Sequence, residues 1–183
     1  MRYNPDIHHR RSIRLRGYEY SHAGAYFVTL CTWQRECLFG EIVDGEMVLS
    51  NIGSIAAAVW TDLSSHYRQV ELDAFVIMPN HVHGLIVFCD EQAEETISQQ
   101  GRVENPPLQD EIRHGLPEIV RGFKTFSSRR INAIRHNRGC PVWQRNYYDR
   151  VIRNENEMSR ARAYIVDNPS KWAYDRENPI NSV

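Results

Sequence analysis

The stretch VIMPNHVHGLIV, Val76–Val87, decides how this chain is read. Two oily runs flank Pro79-Asn80, a turn pair. Val70–Met78 (VELDAFVIM) reads as a long strand, and HVHGLIVF from His81 returns as its antiparallel partner. Strand residues two apart share a face, so His81 and His83 project side by side. Val82, Ile86 and Phe88 point the other way, into a packing layer. Neighbouring imidazoles are costly to bury unless each is hydrogen-bonded or bound to a metal. Two on one strand face supply adjacent corners of a coordination sphere. The same pattern also suits two hydrogen-bonded, partly exposed histidines. A His-x-His-x-His hydrolase motif would need histidine at position 85, where Leu85 stands.

The flanking sequence supplies the rest of a sheet. Ala25–Trp33 (AYFVTLCTW) is rich in β-branched and aromatic residues and predicts a strand. EIVDGEMVLS carries Asp-Gly between apolar pairs, a hairpin signal. Ile52, Ile55, Ala56, Val59 and Leu63 fall at helical spacing, with Ser50 or Asn51 as cap. A second helix is expected from Leu116, with Pro117 in its first turn and Gly139 ending it. PVWQRNYY suits a short edge strand. The last helix spans 154–168: Asn154 and Glu157 resemble a capping box, and Pro169 stops it. The order predicts an α+β fold, a ferredoxin-like antiparallel sheet with helices mainly on one face. The two strands flanking Pro79 are expected at its centre.

The chain has 183 residues, enough for one domain with a real core. No apolar run is long enough to cross a bilayer, and the N-terminus lacks a signal peptide's apolar block. The expected location is the cytoplasm, with no membrane partner. Cys31, Cys37, Cys89 and Cys140 contain no Cys-x-x-Cys pair, which argues against a disulfide scaffold or a cysteine zinc site. The formal net charge is −1, but its distribution is uneven. Residues 1–23 form an arginine-rich arm, and 89–115 an acidic, proline-broken loop expected to be mobile. From Ile119 to Tyr148 there is no acid, while Arg121, Lys124, Arg129, Arg130, Arg135, Arg138 and Arg145 are present. Such blocks build a phosphate-binding face or a merely solvated one.

On the last helix, Tyr164 and Asn168 are four apart and share a face with Arg160 one turn earlier. Met158, Ala161 and Ile165 form a separate, core-facing stripe. Tyr164 is then a phenol presented toward the sheet or an amphipathic tyrosine at the edge of the core.

A strand-borne His-hydrophobic-His followed by a helix with one tyrosine and an amide one turn on resembles the HUH single-tyrosine transposases. Within them the chain is most similar to the REP-associated tyrosine transposases. GAYFVTLCTWQRECLFGEI, AFVIMPNHVHGLIV, VWQRNYYDRVIRNENE and ARAYIVDNPSKW carry the likeness in that family's order. The resemblance implies that His81 and His83 are paired metal ligands, Tyr164 the nucleophile and Asn168 the third ligand, where insertion-sequence relatives carry glutamine. It implies Mg²⁺ or Mn²⁺ as cofactor and single-stranded or hairpin DNA as partner, nicked and rejoined through a 5′-phosphotyrosine. Arg121, Lys124, Arg129, Arg130, Arg145, Tyr147, Tyr148 and Arg150 are candidate DNA contacts, as phosphate binders or stacking platforms with Trp33 and Trp143. Tyr147 and Tyr148 are also rival nucleophiles. Competing readings are a non-catalytic hairpin-binding regulator, a replication-initiator or relaxase-type nickase, and a phosphohydrolase recruiting Asp73 or Asp167. Monomer and homodimer both remain open.

Overall fold

The computed structural model describes residues 23–89 and 114–181. The basic arm and the acidic loop lie outside the described residues, apart from their inner ends. Among the described residues, six strands and four α-helices follow in the order β1 (Gly24–Cys31), β2 (Gly40–Val43), β3 (Glu46–Leu49), α1 (Asn51–Thr61), α2 (Leu63–His66), β4 (Val70–Met78), β5 (His81–Phe88), α3 (Leu116–Ile134), β6 (Tyr148–Ile152) and α4 (Glu155–Asp167). Four strands form an antiparallel sheet in the order β4-β5-β1-β6, and β2-β3 is a separate two-stranded ribbon. With the ribbon and α2 set aside, the chain runs βαββαβ, the ferredoxin-like path expected from the sequence, followed by α4.

Local chemistry explains the elements. Asp44 and Gly45 both hold positive φ, 51° and 82°, as a two-residue turn between right-twisted strands requires. Ser50 caps α1 by accepting from the Gly53 N–H at 3.1 Å. Asn154 caps α4 by accepting from the Glu157 N–H at 2.9 Å. The Glu157 carboxylate reaches back to the Arg153 N–H at 3.3 Å, so the capping box closes one residue early.

Four expectations need correction. First, β5 and β1 are the central strands, and β4 is an edge. β4 is apolar on both faces because helices cover both of them. Second, α3 ends at Ile134, not at Gly139. His136 takes the left-handed turn (φ 49°), and N–H groups of His136 and Asn137 close on the carbonyls of Ala133 and Asn132, a Schellman pattern with histidine in the usual glycine place. Third, PVWQRNYY is mostly not strand: it makes one isolated bridge, Trp143 to Thr32, and only its last residue, Tyr148, opens the edge strand β6. Trp143 is drawn into the core instead, its indole N–H donating to Ser127 Oγ at 2.9 Å. Lys124 Nζ holds the Gln144 and Asn146 carbonyls at 2.8 and 2.9 Å. Fourth, Pro169 ends the α-helix without ending the helical path. It sits at the first turn of a 3₁₀ segment, Pro169–Tyr174.

The sheet separates two apolar layers. Tyr26, Val28, Val82, Ile86 and Phe88 pack beneath α1 and α3 with Trp60, Phe123 and Trp143. Phe27 and Leu85 face the opposite way and meet Ile165 of α4. Gly84 belongs to the first layer: a Cβ there would overlap the Trp60 indole, which is fully buried. Gly84→Ala is therefore expected to destabilise the domain by about 3 kcal/mol, the upper end of overpacking costs. Urea denaturation reads this directly, and a variant within about 0.5 kcal/mol of the parent would contradict the tight packing.

Candidate functional site

The site lies on the α4 side of the sheet. Its row is set by strand register: His83 of β5 stands opposite Thr29 of β1, and Thr29 opposite Tyr148 of β6. His81 and His83 are both buried, at 0% and 3% exposure, despite being polar. Their Nε2 atoms face one another at 3.0 Å. Neighbouring ligands on an octahedral ion with bonds of about 2.1 Å are separated by about the same distance.

Each outer nitrogen is held. His81 Nδ1 lies 2.9 Å from Asn80 Oδ1. The Asn80 amide is oriented by donating from Nδ2 to the carbonyls of Arg35 (3.1 Å) and Glu177 (2.7 Å). Its oxygen can therefore only accept, so His81 carries its proton on Nδ1 and offers a lone pair at Nε2. His83 Nδ1 lies 2.8 Å from Thr29 Oγ1. A hydroxyl can donate or accept, so Thr29 satisfies either tautomer of His83. With no ion, His83 Nε2–H can donate to His81. With the proton on Nδ1, both Nε2 lone pairs face the same point.

Burial pushes both histidines down from 6.5 to about 3, with the Arg35 charge adding to the effect on His81 and its neighbour His81 to that on His83. Both rings are thus neutral at pH 7, the state in which imidazole binds metal.

A carboxylate is the third member of the cluster. Asp175 follows the 3₁₀ segment, and its Oδ2 lies 3.9 Å from His81 Nε2. Ligand atoms of His81, His83 and Asp175 all fall within 4.8 Å of one another. Asp175 is placed by a strap: its Oδ1 accepts from the Glu177 N–H at 2.7 Å, and Glu177 pairs with Arg35 at 3.1 Å. The Glu177 carboxylate also accepts from Cys31 Sγ at 3.2 Å. Burial and that carboxylate push the Cys31 thiol up to about 12, so it stays protonated.

Helix α4 brings Tyr164 and Asn168 to the same place. Ile165 packs against the sheet, and Arg162 clamps α4 to β4 through two hydrogen bonds of 2.9 Å to Asp73. Tyr164 is about half exposed, its ring edge-on to Phe27 and its hydroxyl 3.4 Å from His83 Nε2 of the same chain. Partial burial raises its pKa above 10, and Asp175 adds to this, while a hydrogen bond from Asn168 opposes it. Asn168 is buried, and its Oδ1 has no hydrogen-bond partner. A buried acceptor left unsatisfied is expensive unless something else fills the role.

The other expected residues divide between two surfaces. Tyr148 and Arg150 line a cleft of about 1110 Å³ with His83, Tyr164, Arg160, Asp175 and Arg176. Arg121, Lys124, Arg129, Arg145 and Tyr147 line a separate groove along α3, on the other side of the sheet. There Arg121 pairs with Glu118, and Lys124 is committed to backbone carbonyls. Arg130 pairs with Asp62 at 3.5 Å. Neither Asp73 nor Asp167 joins the histidines, being held by Arg162 and Lys171. Asp175, Asn80 and Thr29 were not singled out in the sequence. Asn80 was visible as a turn residue, but nothing local marks Asp175.

A solved structure shares this fold. A REP-associated tyrosine transposase solved bound to a REP hairpin superposes with a TM-score of 0.56, 16% identical, covering 90% of this chain and 77% of that one. A candidate transposase from Deinococcus radiodurans R1 gives a TM-score of 0.47 at 18% identity, covering 85% and 97%. The fold is thus the α+β, transposase-like fold of the REP-associated tyrosine transposases. By sequence, the chain belongs to the same family as an uncharacterized protein of Haemophilus influenzae, 38% identical over 179 residues and 96% of each chain. No protein-family model matches it.

Proposed function

We propose that the protein is a metal-dependent enzyme that nicks and rejoins single-stranded DNA beside REP-like hairpins through a 5′-phosphotyrosine. One observation carries this reading: the Tyr164 hydroxyl stands 3.4 Å from a histidine of a buried His81–His83–Asp175 cluster within a single chain. His81 and His83 through Nε2, Asp175 through a carboxylate oxygen and Asn168 through its unsatisfied Oδ1 would hold the ion. This mixed nitrogen and oxygen set suits Mn²⁺ and, with more retained water, Mg²⁺. Such an ion supplies polarisation of the scissile phosphate and offsets negative charge beside it.

The chain's own groups do the rest. Tyr164 Oη attacks phosphorus as the phenol proton departs, the P–O3′ bond breaks, and the 3′-oxygen leaves protonated. The phosphodiester is exchanged for a phosphotyrosine ester, so a later 3′-OH reverses the step without ATP. The raised pKa of Tyr164 makes phenolate scarce, so nearby positive charge matters; Arg160 and Arg176 line the same cleft. All these groups come from one chain, so a monomer suffices, working in the cytoplasm where its DNA lies.

Incubation with end-labelled hairpin-bearing single-stranded DNA tests this. A detergent-resistant protein–DNA adduct is expected with Mn²⁺ or Mg²⁺ and none with EDTA. Tight hairpin binding with no adduct under any condition would favour the non-catalytic regulator instead.

A further inference from the structure

We propose that Tyr148, with Arg150 and Arg160, is a platform that seats one base of a single strand beside the scissile phosphate. This assignment rests on the nicking reading for its orientation, but stands on its own geometry. Tyr148 shares its cross-strand row with Thr29 and His83, so its ring rises from the same face as the proposed metal ligands. Adjacent strands lie about 4.8 Å apart, which puts Tyr148 two strands from His83 at about 10 Å.

The two adjacent tyrosines have different surroundings. Tyr147 lines the α3 groove, packs against the main core and lies under the Lys124 ammonium. Tyr148 is 43% exposed and stacks on no other ring among the described residues. In proteins that bind single strands, unpaired bases stack on aromatic side chains of this kind.

Charge is arranged to match. Arg150 is two residues along the strand, on the same face, and Arg160 faces it from α4. The acids lining the cleft are accounted for. Glu157 pairs with Arg150 at 3.4 Å, Glu177 with Arg35 at 3.1 Å, and Asp175 belongs to the histidine cluster. Arg160 and Arg176 form no ion pair among the described residues. A phosphate in the cleft has Arg160 available and competes with Glu157 for Arg150.

The test uses a Tyr164→Phe background, which blocks covalent chemistry, in Mg²⁺. Short single-stranded DNA and RNA oligonucleotides carry one 2-aminopurine, moved one position at a time. Severalfold quenching is expected at one position with Tyr148, kept in Tyr148→Trp and lost in Tyr148→Ala, with about tenfold weaker binding. Arg150→Gln and Arg160→Gln should each lower the salt slope by about 0.7, one phosphate contact on a single strand. Retained quenching and affinity in Tyr148→Ala would overturn the platform, as would no quenching at any position. Preference for DNA or RNA identifies the strand that the cleft accepts. Tyr148-dependent quenching in a protein that forms no adduct would keep the platform and remove the nicking reading. Adduct formation with Tyr148-independent binding would do the reverse.

Discussion

Tyr164→Phe should abolish the covalent protein–DNA adduct, with a loss of about 10³-fold or more, while the domain remains folded. The change removes one oxygen from a half-exposed side chain and leaves the ring against Phe27. Its hydroxyl makes only a long contact to His83, 3.4 Å, and a hydrogen bond with Asn168, so little stability is at stake. Denaturant unfolding of both proteins should therefore overlay while the gel band disappears. A persisting adduct would move the nucleophile elsewhere. Tyr148 and Tyr174, the other two phenols lining the cleft, would then be the suspects.

Acid should destabilise the ion-free protein well before its carboxylates are titrated. In the fold, His81 and His83 refuse protons down to about pH 3. In the unfolded chain they take them near pH 6.5. Between those values the unfolded state binds more protons, so stability falls as pH falls. The contribution is whole above about pH 6.5 and exhausted near pH 3. Each ring is worth about 1.4 kcal/mol per pH unit, or about 4 kcal/mol for both at pH 5 if they titrate independently. Urea unfolding in EDTA at pH 7 and pH 5 measures the difference. The His81→Gln, His83→Gln double variant should lose most of this pH dependence. An unchanged slope in that variant would place the acid sensitivity in other groups.

What could be read from the sequence was what depends on neighbours along the chain. Alternation in HVHGLIVF separated His81 and His83 from Val82 and Ile86, and the structure keeps them on opposite faces. Helical spacing placed Met158, Ala161 and Ile165 toward the sheet and left Tyr164 free to meet His83. Asn154 announced its helix because a cap is a bond between residues three apart. The strap was invisible for the opposite reason. Asp175 reaches His81 only because Glu177 is tied to Arg35 and Asn80, residues from two distant turns. No periodicity encodes such a meeting. The central position given to β4 failed because double-sided apolarity reports covered faces, and helices cover an edge strand as well as sheets do. Gly139 misled because the hydrogen bonds at the end of α3, not residue preference, chose His136 for the left-handed turn.

The Asn80 amide joins three places in the chain: Arg35, its neighbour His81, and Glu177, which is 97 residues further on. Contacts of such long sequence separation close late, since loop entropy must be overcome first. During synthesis the sheet strands through β6 can pair while the residues that steady His81 and bring Asp175 are still inside the ribosome. A nascent chain would thus hold its two histidines in the sheet without the carboxylate beside them. The His81–His83–Asp175 cluster would thus be the last part of the fold to be completed.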